Sequence, residues 1–115
     1  MWEYRANAVH VVDGDTIDVE VDLGFYITRE VRLRLADVDT HETYGVSHDS
    51  EEYRKGKRET EFVGEWIDEA TGEYPLIVRT EKKGKYGRYI ARVERAEDGE
   101  VLNDILLDTF NGVET

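Results

Sequence analysis
Thr16-Ile17-Asp18-Val19-Glu20-Val21-Asp22 alternates apolar and polar residues without a break. Successive side chains of a strand point to opposite faces, so this run predicts a half-buried strand with Ile17, Val19 and Val21 turned inward. It is bounded by Asp13-Gly14 on one side and by Gly24 on the other, both turn signals. Past Gly24, Glu30-Val31-Arg32-Leu33-Arg34-Leu35 alternates again, with Val31, Leu33 and Leu35 on one face and Arg32 and Arg34 on the other. Before Asp13, the Val- and Ala-rich stretch from Tyr4 to Val12 predicts a further strand. The chain therefore opens with three strands joined by turns.

The period then changes. From Ser50 to Ala70, the residues Tyr53, Phe62, Trp66, Ile67 and Ala70 fall on helical spacings among Glu, Lys and Arg, and Gly72 stands where a C-terminal cap belongs. Pro75 opens a short strand at Leu76-Ile77-Val78, a basic loop runs from Lys82 to Lys85, and Tyr89-Ile90-Ala91-Arg92-Val93 makes the last strand. Asp98-Gly99 turns the chain into a final helix with Leu102, Ile105, Leu106 and Phe110 to one side. Three strands, helix, two strands, helix predicts an α+β fold that is mainly β. The expected form is a five-stranded Greek-key barrel of the OB type, with one inserted helix and one C-terminal helix, a single domain over residues 1–115.

A chain of 115 residues, 39% hydrophobic and 37% charged, has the make-up of a soluble protein with one core. No apolar run approaches the roughly 18 residues of a membrane span. Met1 leads directly into Trp2-Glu3-Tyr4, without the charged start and apolar stretch of an export signal, which predicts a cytoplasmic protein. The absence of cysteine excludes disulfides, thiolate metal sites and a cysteine nucleophile. Lys+Arg number 15 against 27 Asp+Glu, a net charge of −12. Charge alone argues against a nucleic-acid partner, because such binders are normally basic. Two features temper that argument: ten of the cations are Arg and only five Lys, and the acids are spread over the whole chain. An evenly acidic, Lys-poor surface suits a high-salt cytoplasm, where the screening length is about 3 Å at molar salt and self-repulsion fades. An acidic protein from ordinary salt has the same composition.

Three segments carry more acid or base than solubility requires. Asp13-Gly14-Asp15-Thr16 is a tight turn with two carboxylates at the start of a strand. Arg34 leads into Asp37-Val38-Asp39-Thr40-His41-Glu42, a strand end running into an acidic loop. Lys82-Lys83-Gly84-Lys85-Tyr86-Gly87-Arg88 is a basic loop with two glycines. Each has an ordinary reading, as turn dipeptide, solvated polar face and hairpin connection. Together they supply the parts of a phosphoryl-transfer site. Two carboxylates and a backbone carbonyl can hold a hard divalent cation such as Ca²⁺. A cation with two guanidinium groups can clamp a phosphodiester and stabilise the charge of a five-coordinate phosphorus. Arg suits that task better than Lys because its planar fork bonds two oxygens at once. A further carboxylate can accept the proton of an attacking water. Without cysteine or a histidine pair at metal spacing, zinc is disfavoured.

Asp13-Gly14-Asp15-Thr16, then Arg34-Leu35 followed by Val38-Asp39-Thr40-His41-Glu42, then Lys85-Tyr86-Gly87-Arg88, resemble the motifs of the staphylococcal nuclease (thermonuclease) family. Asp98-Gly99 followed by Asn103-Asp104-Ile105-Leu106 is similar to that family's turn and second helix. The resemblance covers almost the whole chain in the family's order, and the family's fold is an OB-type barrel. It implies that Asp15 and Asp39 are carboxylate ligands of Ca²⁺ and that Thr40 lends the same ion its backbone carbonyl. It implies that Arg34 and Arg88 contact the scissile phosphate. Glu42 would act as general base or orient the attacking water, and Lys85 and Tyr86 would contact a neighbouring phosphate and sugar. The implied reaction is Ca²⁺-dependent hydrolysis of single-stranded DNA and RNA, leaving 3′-phosphate ends.

The chain also departs from that family. His41 stands where proline is usual, and losing proline's stiffness loosens the aim of Glu42. Tyr44 to Ser50 lacks the lysines that thermonuclease carries there, which weakens nucleic-acid affinity at low salt. The sequence stops at Thr115, before a third helix whose tyrosine lines the nucleotide site in several members. That wall is then missing, dispensable or supplied by a partner subunit. The alternative function is a catalytically silent barrel of the same family, a binding or structural module of a larger assembly. Such modules typically shed the carboxylates or arginines, whereas Asp15, Arg34, Asp39, Glu42 and Arg88 are all present here. An unrelated acidic OB-type adaptor would require four ordered motifs to coincide.

Overall fold
Alternation along the first strands becomes a closed wall of apolar side chains. The computed structural model describes residues 2–38, 40, 50–70, 72–83 and 89–110. The elements run β1 (Trp2–Asp13), β2 (Thr16–Asp22), β3 (Thr28–Leu35), α1 (Glu51–Asp68), β4 (Leu76–Lys83), β5 (Tyr89–Arg95) and α2 (Leu102–Thr109). In β2, Ile17 and Val19 are fully buried and Val21 nearly so, while Asp18, Glu20 and Asp22 face outward. The strands close into a barrel in the order β1-β2-β3-β5-β4, with β1 also pairing β4. All pairs are antiparallel except the seam between β3 and β5, which is parallel and matches Leu33 to Tyr89, Arg34 to Ile90 and Leu35 to Ala91. This is the expected five-stranded OB-type barrel with one inserted and one C-terminal helix.

The barrel is filled by Ala6, Ile17, Val19, Leu33, Leu35, Leu76, Val78, Ala91 and Val93. Val63 and Trp66 of α1 and Leu102 and Leu106 of α2 complete the same cluster. Removing this apolar surface from water is the main stabilising force. Among the described residues, no helix is long and apolar enough to cross a membrane.

Helix α1 starts where an N-cap is available: the Ser50 hydroxyl accepts from Tyr53 N at 3.1 Å, and Glu51 and Glu52 sit at the positive end of the helix dipole. It stops before the glycine expected to cap it. Glu69 is the C-cap in right-handed conformation, and the last carbonyls are taken by Glu69 N and Ala70 N in a tightened final turn. Gly72, with φ +113°, lies beyond the helix in the following turn. Strand β4 outlasts its apolar run and reaches Lys83, because the ladder with β5 continues to the pair Lys83 and Tyr89. Lys82 and Lys83 therefore belong to a strand, not to the expected loop. Strand β3 likewise begins at Thr28, opposite Asp22, earlier than its alternation shows.

Two features extend or pin the barrel. The β2–β3 hairpin ends in Gly24, Phe25 and Tyr26, all at positive φ, and both aromatic side chains stand almost wholly in solvent. At the far end, the buried Asn103 side chain of α2 donates to Ala36 O at 2.9 Å and Ala91 O at 3.1 Å and accepts from Val93 N at 3.0 Å. It joins α2 to β5 and to the residue that follows β3, at the end of the parallel seam.

Candidate functional site
The site is built where β1 turns into β2, beside the end of β3. Asp13 pairs with Thr16 across the turn, which leaves Gly14 and Asp15 at its tip. Asp15 O accepts from Leu35 N at 2.8 Å, so the turn is pinned to the last residue of β3. Arg34 sits between Thr16 of β2 and Ile90 of β5 in the same layer. Past Leu35 the chain turns sharply through Asp37, at φ +64°, and Ala36 N donates to Ala91 O at 2.8 Å. That turn brings Thr40 back over the β1–β2 tip.

Three sequence-predicted residues from three separate segments meet there. The Asp15 carboxylate is buried; its Oδ1 accepts from the Thr16 hydroxyl at 2.9 Å and its Oδ2 from Thr40 N at 3.1 Å. Arg34 Nη2 lies 3.5 Å from the same Oδ2. Arg34 Nη1 donates to Leu35 O at 3.0 Å and to Val38 O, which fixes the plane of the guanidinium fork. Thr40 is buried, and its Oγ1 has no hydrogen-bond partner among the described residues. An orphaned buried hydroxyl is rare and marks a place where a polar group is missing its complement.

The remaining candidates, Asp39, Glu42, Lys85, Tyr86 and Arg88, and also His41, lie outside the described residues. Asp37, in the same acidic segment, is drawn away from the site: Arg92 Nη2 donates to its Oδ2 at 2.7 Å while Nη1 reaches Asp104 at 3.4 Å. Among the described residues, no group of three or more His, Cys, Asp or Glu is placed to hold a metal ion. What they do offer is a buried carboxylate, a hydroxyl without a partner and nearby backbone oxygens. That all-oxygen donor set has the chemistry of a hard cation such as Ca²⁺ and not of zinc.

Two participants had a faint signal in the sequence. Gly14 is more than a turn residue: a Cβ there would stand 2.7 Å from Thr40 Cγ2 and 3.0 Å from Glu59 Cβ, so only glycine admits both. Glu59, on α1, is 2% exposed. It shares a buried stripe with Gly56, Val63 and Trp66, spaced as one helix face, and this spacing was the available clue. Through these contacts α1 forms the floor under the β1–β2 tip. Set against known protein families and curated proteins, the chain matches no family model and no curated protein.

Proposed function
We propose that this chain is a Ca²⁺-dependent nuclease of the thermonuclease type, hydrolysing phosphodiester bonds of single-stranded DNA and RNA in a high-salt cytoplasm. The observation that supports it most is the meeting of Asp15, Thr40 and Arg34 around one carboxylate oxygen, with Thr40 N at 3.1 Å and Arg34 Nη2 at 3.5 Å. In this reading Asp15 and Asp39 hold the ion by their carboxylates and Thr40 by its backbone carbonyl. Bound there, Ca²⁺ supplies positive charge against the phosphate oxygens.

The chain's own groups do the rest. Arg34, anchored by the carbonyls of Leu35 and Val38, presents its fork to the scissile phosphate, and Arg88 clamps the same group. Glu42 takes the proton of the attacking water. Lys85 and Tyr86 hold the adjoining phosphate and sugar.

The test is cleavage of a labelled single-stranded DNA oligonucleotide in molar KCl, with Ca²⁺ or with chelator. The expected result is Ca²⁺-dependent cutting that falls at least ~100-fold in Glu42→Ala, and Ca²⁺ affinity that drops in Asp15→Asn. Folded protein that binds the oligonucleotide without cutting it would replace this reading with the silent binding module.

A further inference from the structure
The net charge of −12 hides a local reversal. Arg54, Lys55, Lys57 and Arg58 crowd four cations into five successive residues of α1. Arg54, Lys57 and Arg58 are exposed, on the face opposite the buried stripe of Gly56, Glu59, Val63 and Trp66. Lys55 is tied to Glu51 at 3.1 Å, and the cationic neighbourhood is strong enough to hold the Glu51 carboxyl below its ordinary pKa, chiefly through the hydrogen bond from Lys55 and then through Lys55, Arg54 and Arg58. An open depression of about 450 Å³ lies against this face, lined by Glu51, Arg54, Lys55, Lys57, Arg58 and Glu61. The exposed residues on either side are acidic, Glu51 and Glu52 in the first turn and then Glu61, Glu65, Asp68 and the C-cap Glu69.

The position matters as much as the charge. Glu59, immediately after Arg58, has its Cβ against the spot where Gly14 approaches the helix, and Gly14 adjoins Asp15. With a helical rise of about 1.5 Å per residue, the cations lie within about two turns of that contact along the axis, on the outer face of the helix whose inner face touches Gly14. Arg54 and Arg58, four residues apart, are neighbours on one face, about 5–6 Å between their Cβ atoms.

We infer that the basic half of α1 is a track for the sugar-phosphate backbone of a single-stranded nucleic acid, extending the substrate site away from the Asp15–Arg34 centre. The choice of a nucleic acid over other polyanions rests on the nuclease reading above. The track bears on the objection that an acidic chain repels its substrate, because four cations among Glu51, Glu52 and Glu61 leave this stretch of the outer face of α1 without the acid surplus of the chain as a whole. Contacts here are to phosphates, so they carry affinity without base preference.

Binding of a labelled single-stranded oligothymidylate, followed by fluorescence anisotropy in chelator over a KCl series, tests this without catalysis. Each phosphate-bound cation contributes about 0.7 to the slope of log affinity against log salt for single strands. Arg54→Gln/Arg58→Gln is expected to flatten that slope by about 1.4. Gln has a helix propensity close to that of Arg, so the helix survives. Arg5→Gln/Arg29→Gln, which removes the same charge at the hairpin end of the barrel, is expected to leave the slope nearly unchanged. An unchanged slope in the α1 variant, an equal loss in the control pair, or no binding by the parent protein would overturn the track. Absence of Ca²⁺-dependent cutting alongside the expected slopes would instead sink only the nuclease reading.

Discussion

A methyl group at Gly14 would collide with Thr40 Cγ2 and with the root of the Glu59 side chain, neither of which is a flexible tip that can swing aside. Gly14→Ala is therefore expected to destabilise the fold by about 1–3 kcal/mol through overpacking, measured as a lower urea midpoint. Thr40 would also be pushed off Asp15 Oδ2, so under the proposed function Ca²⁺ affinity should fall with stability. A midpoint equal to the parent's would mean that the approach of α1 to the turn is looser than these distances state. At this scale the sequence was legible only in part. Asp13-Gly14 reads correctly as a turn, but the need for glycine arises from residues far along the chain, which local pattern does not encode. Glu59 looked like one more solvated acid because Phe62, Trp66 and Ile67 defined the apparent face; the stripe through Gly56 and Val63 puts it inside.

The elements themselves were far more legible, because strand alternation and helical spacing are local and strong. What failed was their ends. Apolar periodicity marks the part of an element that touches the core, whereas β3 and β4 run on as long as a partner strand offers hydrogen bonds. The turn before α2 yields a pH prediction. Hydrogen bonding from Arg95 first, and then from the Glu100 N–H, holds the Asp98 carboxyl below its ordinary value of 3.8. A carboxyl lowered on folding stabilises above its unfolded pKa, and that contribution disappears as pH falls through the folded value. Asp98→Asn should therefore flatten the stability profile on the acid side, below about pH 4, and an unaltered acid limb would remove Asp98 as its source. In α2, Asn103→Leu strips the Val93 N–H and the Ala36 carbonyl of their side-chain partner in the interior. The expected loss is roughly 2–4 kcal/mol, read by chemical denaturation, with the seam between β3 and β5 first to lose protection in hydrogen exchange.

Across the whole molecule the surplus of acid, a net charge of −12, sets the long-range electrostatics. Screening shortens from about 10 Å at 0.1 M salt to about 3 Å at 1 M, so the melting temperature is expected to climb with KCl over that range. A steady fall would remove the high-salt reading. Composition showed this charge directly, yet it concealed the basic half of α1, since a net sum carries no positions. The architecture was legible from element order, while the parallel seam that seats Arg34 depends on chain segments meeting across a long interval. Asn103 gives that interval a duration. Its bond to Ala36 spans 67 residues, and synthesis proceeds at roughly 5–20 residues per second. The segment bearing Asp15 and Arg34 thus leaves the ribosome several seconds before the clamp that fastens its neighbours exists. Until β5 emerges the growing chain holds β3 as an open edge, and a chain halted ahead of α2 closes the seam without the side chain that fastens it.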